Sequence, residues 1–200
     1  VQPWVDKGYL TRANTLDELV TLVRANPGKY SYGTFGNATS AHIAGELLKR
    51  EAKLDMAHVP YKGAAPLLAD LLAGHVPIGF ADTGTSMPHL KAGKIKALVI
   101  NGARRSSLMA TVPTFLESGY KGFEQYGWIG ALFPAGVAPD RVALMSSEMS
   151  RIIKLPHMQQ KLRELNLEPL GSNAEDFAKV LASDLSSWTR LVSELGIQEN

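Results

Sequence analysis

The sequence predicts an α/β fold with a mostly parallel sheet, followed by a region that is almost entirely helical. Strand patterns alternate with helix patterns up to about residue 105, and such alternation implies right-handed crossovers between parallel strands. From Pro139 onward the apolar residues recur at helical spacing instead. A chain of 200 residues can bury a sizeable core, although its length does not decide between one domain and two.

The first predicted helix lies between Thr15 and Gly28. Thr15 is a typical N-cap residue, Glu18 follows three residues later as in a capping box, and Gly28 supplies a stop. One face of this helix is apolar and carries Leu16, Leu19, Val20 and Val23. We therefore expect this face to pack on the core.

Four strands and three helices are predicted to follow in alternation. The strand segments are "KYSYGTF", "DMAHVPY", "VPIGFAD" and "IKALVING". The helix segments are "SAHIAGELLKREA", "AAPLLADLLAG", which ends at Gly74, and "SMPHLKAG". This order predicts a single α/β unit that extends to about Arg105.

The remainder of the chain is predicted to be mainly helical. "FEQYGWIGALFPAGV" has the pattern of one long strand and "LEPLG" that of a short one. Helices are predicted for "PDRVALMSSEMSRIIKLP", for "HMQQKLREL" and for the segment from the Asn173 cap to Gly196. Their apolar stripes carry Val142, Met145, Met149 and Ile152 in the first, and Phe177, Leu181, Trp188, Val192 and Leu195 in the last. Because such stripes need a partner, we expect a second sheet that is encoded mostly before Val1.

The composition argues against several classes of protein. Lys and Arg total 21 against 19 Asp and Glu, and the scattered basic residues argue against a nucleic-acid surface. The absence of cysteine excludes disulfides and thiolate metal sites. No apolar stretch approaches the ~20 residues that cross a bilayer, and no signal pattern opens the chain.

Loops that follow three predicted strands carry the candidate site, since ligands of open parallel sheets bind at the carboxyl ends of the strands. In the first loop, Gly36 permits close backbone approach, Asn37 tolerates a left-handed turn, and Thr39 or Ser40 can cap the next helix. Free N–H groups at this helix N-terminus would suit a carboxylate or a phosphate. A plain capped connection between strand and helix is the alternative.

The other two loops contain a tyrosine and an aspartate. Tyr61 offers a ring wall and a hydroxyl, or it packs at the sheet edge, whereas Lys62 is interpreted as a solvated surface lysine. Asp82 falls at a strand end beside Thr83. It accepts either from a ligand ammonium or an ordered water, or it caps the short helix.

Catalytic, nucleotide and metal motifs are not found in the sequence. There is no G-x-G-x-x-G after a strand, no G-x-x-x-x-G-K-[ST] and no G-x-S-x-G. The five histidines include no pair four residues apart on a helix. Of these histidines, we place only His42 near the site, and a packed or capping role is its alternative. We expect recognition without catalysis, and neither a metal nor a cofactor.

Four blocks of the sequence are similar to a known family. "YSYGTFGNATSAHIAGELLK", "HVPYKGAAPLLADLLAGHVPIGFAD", "PHLKAGKIKALVI" and "VPTFLESGYKGFEQYGWIGALFPAGV" resemble, in order and spacing, the Bug family. These are the periplasmic solute receptors of tripartite tricarboxylate transporters. The resemblance implies a type II periplasmic-binding-protein fold, in which two α/β lobes close on a small carboxylate. It covers the latter two thirds of a family member, so we expect the signal peptide and most of the first lobe to be missing.

The resemblance also implies a division of the chain. Residues 1–10 would be a crossover segment, 11–105 the second lobe, 106–135 the crossover back, and 136–200 helices of the first lobe. Because half of the cleft would be missing, we expect the chain to bind its ligand weakly or not at all. We expect the exposed apolar stripe of the last helices to favour self-association or disorder.

Ligand-binding residues are implied in the same way. Family receptors bind a carboxylate through loop amides, hydroxyls and ordered waters. The matching positions are Gly36, Asn37, Ala38, Thr39, Ser40 and His42, with Tyr61, Asp82 and Thr83 in the neighbouring loops and Trp128 in the crossover strand. The chain departs from the family pattern at Phe35, at Ala38 and in Thr83 and Gly84 after Asp82, so the identity of the ligand does not carry over.

The function implied by the resemblance is capture of a small organic acid in the periplasm and its delivery to the membrane subunits of the transporter. The acid is a dicarboxylate, a tricarboxylate, an acidic amino acid or an aromatic acid. Two alternatives remain open. One is an enzyme that uses the same two-lobed fold on an anionic substrate, and the other is a ligand receptor for a membrane sensor.

Overall fold

The computed structural model describes residues 13–124 and 127–197. The strands are β1 (Tyr30–Thr34), β2 (Met56–Pro60) and β3 (Ile78–Phe80). The α-helices are α1 (Leu16–Arg24), α2 (Ser40–Ala52), α3 (Ala64–Ala73), α4 (Thr83–Lys91), α5 (Pro139–Ile153), α6 (Pro156–Glu164) and α7 (Ala174–Leu195). The predicted α/β class is confirmed.

The strands form a parallel sheet in the order β2-β1-β3. Thr34 pairs with Pro60 on one side and with Phe80 on the other, so the three strands end at the same level. The chain passes from β1 to β2 on one side and then back across β1 to β3. The connection through α2 and the connection through α3 are both right-handed but run in opposite directions along the sheet, so α2 and α3 lie on opposite faces of it. The connections diverge between β1 and β3, where such sheets leave a crevice for ligands.

Glycines allow the helices to approach both faces of β1 closely. A Cβ atom placed on Gly45 of α2 would lie 2.2 Å from the ring of Tyr32, and one placed on Gly33 would lie 2.5 Å from Leu67 of α3. Successive strand residues point to opposite faces, so Tyr32 faces α2 and Gly33 faces α3. The sheet is therefore the middle layer of three.

The main core lies on the α2 face of the sheet. It unites the apolar faces of α1 and α2 with β1 and with the stacked rings of Phe115 and Phe123, whose centroids are 3.9 Å apart. Leu191 of α7 is buried in the same cluster, and Arg50 of α2 forms an ion pair with Glu194 at 3.1 Å. The C-terminal half of α7 therefore packs on the α/β unit. The predicted boundaries at residues 105 and 135 stay predictions.

The predicted helix caps are confirmed. The Thr15 hydroxyl accepts from the N–H of Glu18 at 3.2 Å, and the Asn173 side chain accepts from the N–H of Asp176 at 2.8 Å. The Glu18 carboxylate accepts from the N–H of Asn14, one residue before the expected partner. α1 ends at Arg24, earlier than the predicted stop near residue 28.

The fourth predicted strand and the two in the second region are wrong for the described residues. "IKALVING" contributes only an isolated bridge between Ile100 and Thr114. The N–H of Ile100 donates to Pro113, and the Ile100 carbonyl accepts from Phe115, so the pairing ends after one bridge. Residues 127–134 and 167–171 form no strand. An extended segment becomes a strand only where a neighbour supplies a ladder of partners. Gln125, Tyr126 and the predicted crossover over residues 1–10 lie outside the described residues.

The predicted apolar stripes of the second region are exposed in part. Trp188, Val192 and Leu195 of α7 pack against the main core, and that the rest packs on a second sheet stays a prediction. α5 and α6 contain no buried residue. The exposed apolar side chains include Leu144, Met145, Met149 and Ile152 on α5, and Val180, Leu181 and Leu185 on α7.

Candidate functional site

The three predicted loops meet at the carboxyl edge of the sheet. Beyond the last paired residues, the N–H of Tyr61 donates to the Thr34 carbonyl at 2.9 Å, and the N–H of Gly63 donates to the Phe35 carbonyl at 3.1 Å. The β2 loop is thus bound to the β1 loop on one side. On the other side is the position where sheets of this topology leave a crevice; we call it the β1–β3 crevice and define it as the region between residues 35–39 and residues 81–82. The β1 and β3 loops flank this crevice, and the β2 loop does not.

The β1 loop is a capped turn. Thr39 is the N-cap of α2: its hydroxyl accepts from the N–H of His42 at 3.4 Å and donates to the Gly36 carbonyl at 2.9 Å. A Cβ atom on Gly36 would lie 2.9 Å from Cγ2 of Thr39, which explains the glycine. The left-handed residue is Ala38, with φ of 53°, and not Asn37 as the sequence predicts. Both Asn37 and Ser40 are exposed.

Two buried side chains, those of Thr34 and His42, form hydrogen bonds to the backbone of this turn. The fully buried Thr34 hydroxyl donates to the Gly36 carbonyl at 2.9 Å and lies 2.7 Å from Nε2 of His58. The N–H of Ala38 donates to Nδ1 of His42 at 3.1 Å. The Ala38 amide is therefore already occupied within the protein. Sequence reasoning missed Thr34 and His58. Thr34 points to the same face of β1 as Tyr32. A buried hydroxyl on that face needs a hydrogen-bond partner, and this need was the signal in the sequence for a polar contact at Thr34.

The imidazole rings of His42 and His58 are stacked beneath the loop. Their centroids are 3.8 Å apart with an interplanar angle of 13°, and the His58 ring stacks in turn on Tyr32 at 5.0 Å. Burial lowers the pKa of His42 below its ordinary value. Burial, reinforced by the nearby His42, lowers the pKa of His58 to about 4. Both rings are consequently neutral at pH 7.

A carboxylate and a lysine complete this buried group. The Tyr32 hydroxyl donates to Oε1 of Glu46 at 2.6 Å, and the Lys49 ammonium lies 2.8 Å from the same oxygen. Burial and the Glu46 carboxylate raise the pKa of Tyr32. Burial acts to raise the pKa of Glu46 as well, but the hydrogen bonds from Lys49 and Tyr32 outweigh it and lower that pKa. Glu46 is therefore ionised and paired.

Tyr61 is held on α3. Its hydroxyl donates to the Asp70 carboxylate at 2.8 Å, and a Cβ atom on Gly33 would lie 3.0 Å from its ring. Burial and this hydrogen bond raise the pKa of Tyr61 to about 12. The ring thus packs at the sheet edge, as one of its two interpretations predicts. Lys62 is exposed.

Asp82 is the N-cap of α4. Its carboxylate accepts from the N–H of Thr85 at 2.8 Å and from the Thr85 hydroxyl at 2.6 Å. Of the two predicted roles, the structure shows the capping role. Asp82 and Thr83 are both exposed at the mouth of the crevice, and a role for them in ligand binding stays a prediction.

Trp128 is anchored to α7. Its indole N–H donates to Asp184 at 2.7 Å, and its ring meets Phe177 edge to face at 4.9 Å. Neither contact reaches the three loops, so within the described residues the structure does not join Trp128 to them.

The helices that begin at this edge differ from α1 and α7 in the charge of their first turns. α1 and α7 each carry two acidic residues in the first turn, whereas α2, α3 and α4 carry none. Acidic side chains at helix N-termini satisfy the positive end of the helix dipole. The N-termini of α2 and α3, which have no acidic residue at the cap or in the first turn, are suited to an external anion, whereas Asp82 already supplies a carboxylate to α4.

Neither a metal site nor a membrane span is found in the described part of the chain. No group of three or more His, Asp or Glu side chains among residues 13–124 and 127–197 is placed to hold a metal ion. None of the helices over the same residues has the length and apolar character that crossing a bilayer requires.

Comparison with known proteins decides the family. Residues 10–197 match the family described as "Tripartite tricarboxylate transporter family receptor". The chain belongs to this receptor family. A relative from Pseudomonas sp. (strain P51), "UPF0065 protein in tcbD-tcbE intergenic region", is 30% identical over 191 residues, which are 95% of this chain and 57% of the relative. The chain thus spans a little over half the length of this curated member of the family.

Solved structures confirm the predicted fold. The periplasmic binding protein BugD has a TM-score of 0.79 at 29% identity, over 94% of this chain and 64% of BugD. A Rhodopseudomonas palustris protein solved with adipate gives 0.82 at 26%, over 94% and 63% of the two chains. A second protein from that organism, with bound malate, gives 0.75 at 26%, over 89% and 62%. The chain therefore has the architecture of a periplasmic binding protein over about two thirds of its neighbours' length.

The Thr39 cap has a measurable share in the stability of this receptor chain. Replacing Thr39 by alanine removes the acceptor for the His42 N–H and is expected to lower the free energy of unfolding by about 1 kcal/mol. Thr39→Ser keeps the hydroxyl and should lose much less. Urea unfolding of the three proteins checks this, and equal losses in both variants would contradict the cap.

Proposed function

We propose that the chain supplies one side of the ligand cleft of a periplasmic solute receptor. The receptor captures a small carboxylate and delivers it to the membrane subunits of a tripartite tricarboxylate transporter. The observation that carries this proposal is the convergence of three helix N-termini at one sheet edge, two of which, those of α2 and α3, have no acidic residue at the cap or in the first turn. Their dipoles favour an anion, and the capped β1 turn points its first helical N–H groups toward the same edge.

The ligand class is proposed to be a dicarboxylate. The two R. palustris neighbours were solved with adipate and with malate, each of which carries two carboxylates. One carboxylate of such a ligand would lie in the β1–β3 crevice, against the N-terminus of α2. The second would project toward the part of the neighbours that has no counterpart in this chain.

Binding by this chain is tested by NMR titration, because a partial cleft is expected to bind only in the range of about 1 mM, or roughly 4 kcal/mol. Adding adipate or malate to the ¹⁵N-labelled chain at pH 7 should shift the amide signals of Ser40 and Thr83 in a saturable way. The diamide of adipate, which is neutral, should not. Equal responses to adipate and its diamide would contradict anion recognition.

A substitution at the exposed Ser40 separates binding from folding. Ser40→Asp adds a negative charge in the first turn of α2, so it should stabilise the helix by about 0.5 kcal/mol and yet repel the ligand. We expect at least a tenfold loss of adipate affinity together with an unchanged or slightly higher melting temperature. Ser40→Asn is the neutral control and should bind within about twofold of the parent. Unaltered affinity in Ser40→Asp would place the ligand elsewhere.

A further inference from the structure

Of the two stacked histidines, His42 contacts the turn directly and His58 is linked to it through Thr34. Nδ1 of His42 accepts the Ala38 N–H, so this nitrogen carries no proton and the ring is the neutral tautomer with its proton on Nε2. The Thr34 hydroxyl uses its proton on the Gly36 carbonyl, so Nε2 of His58 donates to the Thr34 oxygen. The His42 ring thereby holds residue 38, and the His58 ring holds residue 36 through the Thr34 hydroxyl.

The hydrogen bond from Ala38 has a specific consequence. Ala38 is in the left-handed region with φ of 53°, which an alanine adopts only at a cost. The bond to the 92% buried His42 holds this conformation. Ala38 in turn places Thr39 as the cap and Ser40 as the first residue of α2. The direction of the first helical N–H groups therefore depends on an acceptor at Nδ1 of His42.

We propose that His42 is a positioning residue for carboxylate binding. It acts through the Ala38 amide and not by touching the ligand, and the uncharged ring of His58 supports it by stacking against it. This inference rests on the proposed function for its effect on affinity. The effect of His42 on the conformation of the β1 loop does not depend on a ligand. A proton on Nδ1 would remove the acceptor, so the loop should lose its binding conformation when His42 becomes charged.

The charged groups around His42 and His58 are consistent with both rings being neutral at pH 7. Glu46 and Lys49 of α2 and Tyr32 of β1 are the titratable groups that face the two rings, and β3 contributes only the neutral ring of Phe80 against Tyr32. Glu46 is already paired with Lys49 and with the Tyr32 hydroxyl. Burial lowers the pKa of both histidines, and two imidazolium rings 3.8 Å apart would repel each other.

The first test needs no ligand. Imidazole ¹⁵N spectra at pH 7 should show Nδ1 of His42 unprotonated, and the Ala38 amide should be protected from hydrogen exchange. His42→Asn puts an amide oxygen close to the position of Nδ1, so it should retain the protection at pH 7 and at pH 5. His42→Phe keeps a stacked ring without an acceptor, so it should lose the protection at both values. Undiminished protection in a folded His42→Phe variant would overturn the positioning role.

The second test measures adipate affinity against pH, with the same variants. In the parent chain the dissociation constant of adipate should rise as the pH falls from 7.5 to 5. The rise should be steeper than in His42→Asn. Because adipate itself takes up protons over this range in both proteins, the His42→Asn variant is also the control for that effect. His42→Phe should bind about tenfold more weakly at pH 7. If His42 touched the ligand as a cation, affinity would instead rise on acidification relative to His42→Asn, and that result would overturn the proposal.

The two tests also separate this inference from the proposed function. If the Ala38 amide behaves as expected and adipate shifts no signal in any variant, the proposed function fails and the effect on affinity fails with it, while the loop role is established. If adipate binds and the His42 variants match the parent at every pH, the proposed function holds and the positioning role is refuted.

Discussion

Replacing Gly45 by valine is expected to lower the free energy of unfolding by about 3 kcal/mol. A Cβ atom at this position would lie 2.2 Å from the ring of Tyr32, which is fully buried and hydrogen-bonded to Glu46. Neither the ring nor the α2 backbone can move without opening the core, and overpacking of this kind typically costs 1–3 kcal/mol, occasionally more. Chemical unfolding followed by circular dichroism gives the loss directly.

Gly127→Val is the matched control for this prediction. A Cβ atom at Gly127 meets no atom within 4 Å, so the same substitution should change the stability by less than about 0.5 kcal/mol. A Gly45→Val chain as stable as the Gly127→Val chain would show that α2 does not pack against Tyr32 as described.

Replacing Thr34 by valine is expected to destabilise the chain by about 2–3 kcal/mol although the two side chains have nearly the same shape. The substitution leaves the Gly36 carbonyl and Nε2 of His58 without their buried partner, and each unsatisfied group costs about 1–3 kcal/mol, less what local relaxation recovers. The melting temperature and the unfolding midpoint in urea measure the loss. The amide signals of residues 36–39 should shift in the same variant.

Thr34→Ser is the control here, because it keeps the hydroxyl and removes only a buried methyl group. It should lose about 1 kcal/mol and leave the amide signals of the loop near their parent positions. If the valine variant were no less stable than the serine variant, the hydroxyl network under the loop would have no energetic role.

Most of the fold could be predicted from local signals. Caps at Thr15 and Asn173, the stop at Gly74 and the alternation of strand and helix patterns each depend on residues close together in the sequence, and the structure confirms them. "IKALVING" shows the limit of such signals. Its residues favour a strand, but a strand also needs a ladder of partners. The structure gives this segment one bridge, between Ile100 and Thr114, and a separate bond from the N–H of Gly102 to the Phe123 carbonyl.

The site was predictable to a smaller extent. The sequence placed the loops at the strand ends correctly, because parallel strands must all end at one edge. It did not reveal that Ala38 takes the left-handed conformation, since alanine carries no such signal. Nor did it reveal the link between Thr34 and His58, which are 24 residues apart and meet only because β1 and β2 pair.

α7 has a mechanical consequence for the loop. Its 22 residues form a rod about 33 Å long, whose C-terminal half is packed on α2 through Leu191 and Glu194. Its other half holds Trp128 through Asp184, and its first N–H donates to Ser146 of α5 at 2.9 Å. Because an unbroken helix bends little over this length, α7 is a rigid connection between residues 127–153 and α2. We therefore expect movement at its far end to be transmitted to the helix that begins with the β1 turn.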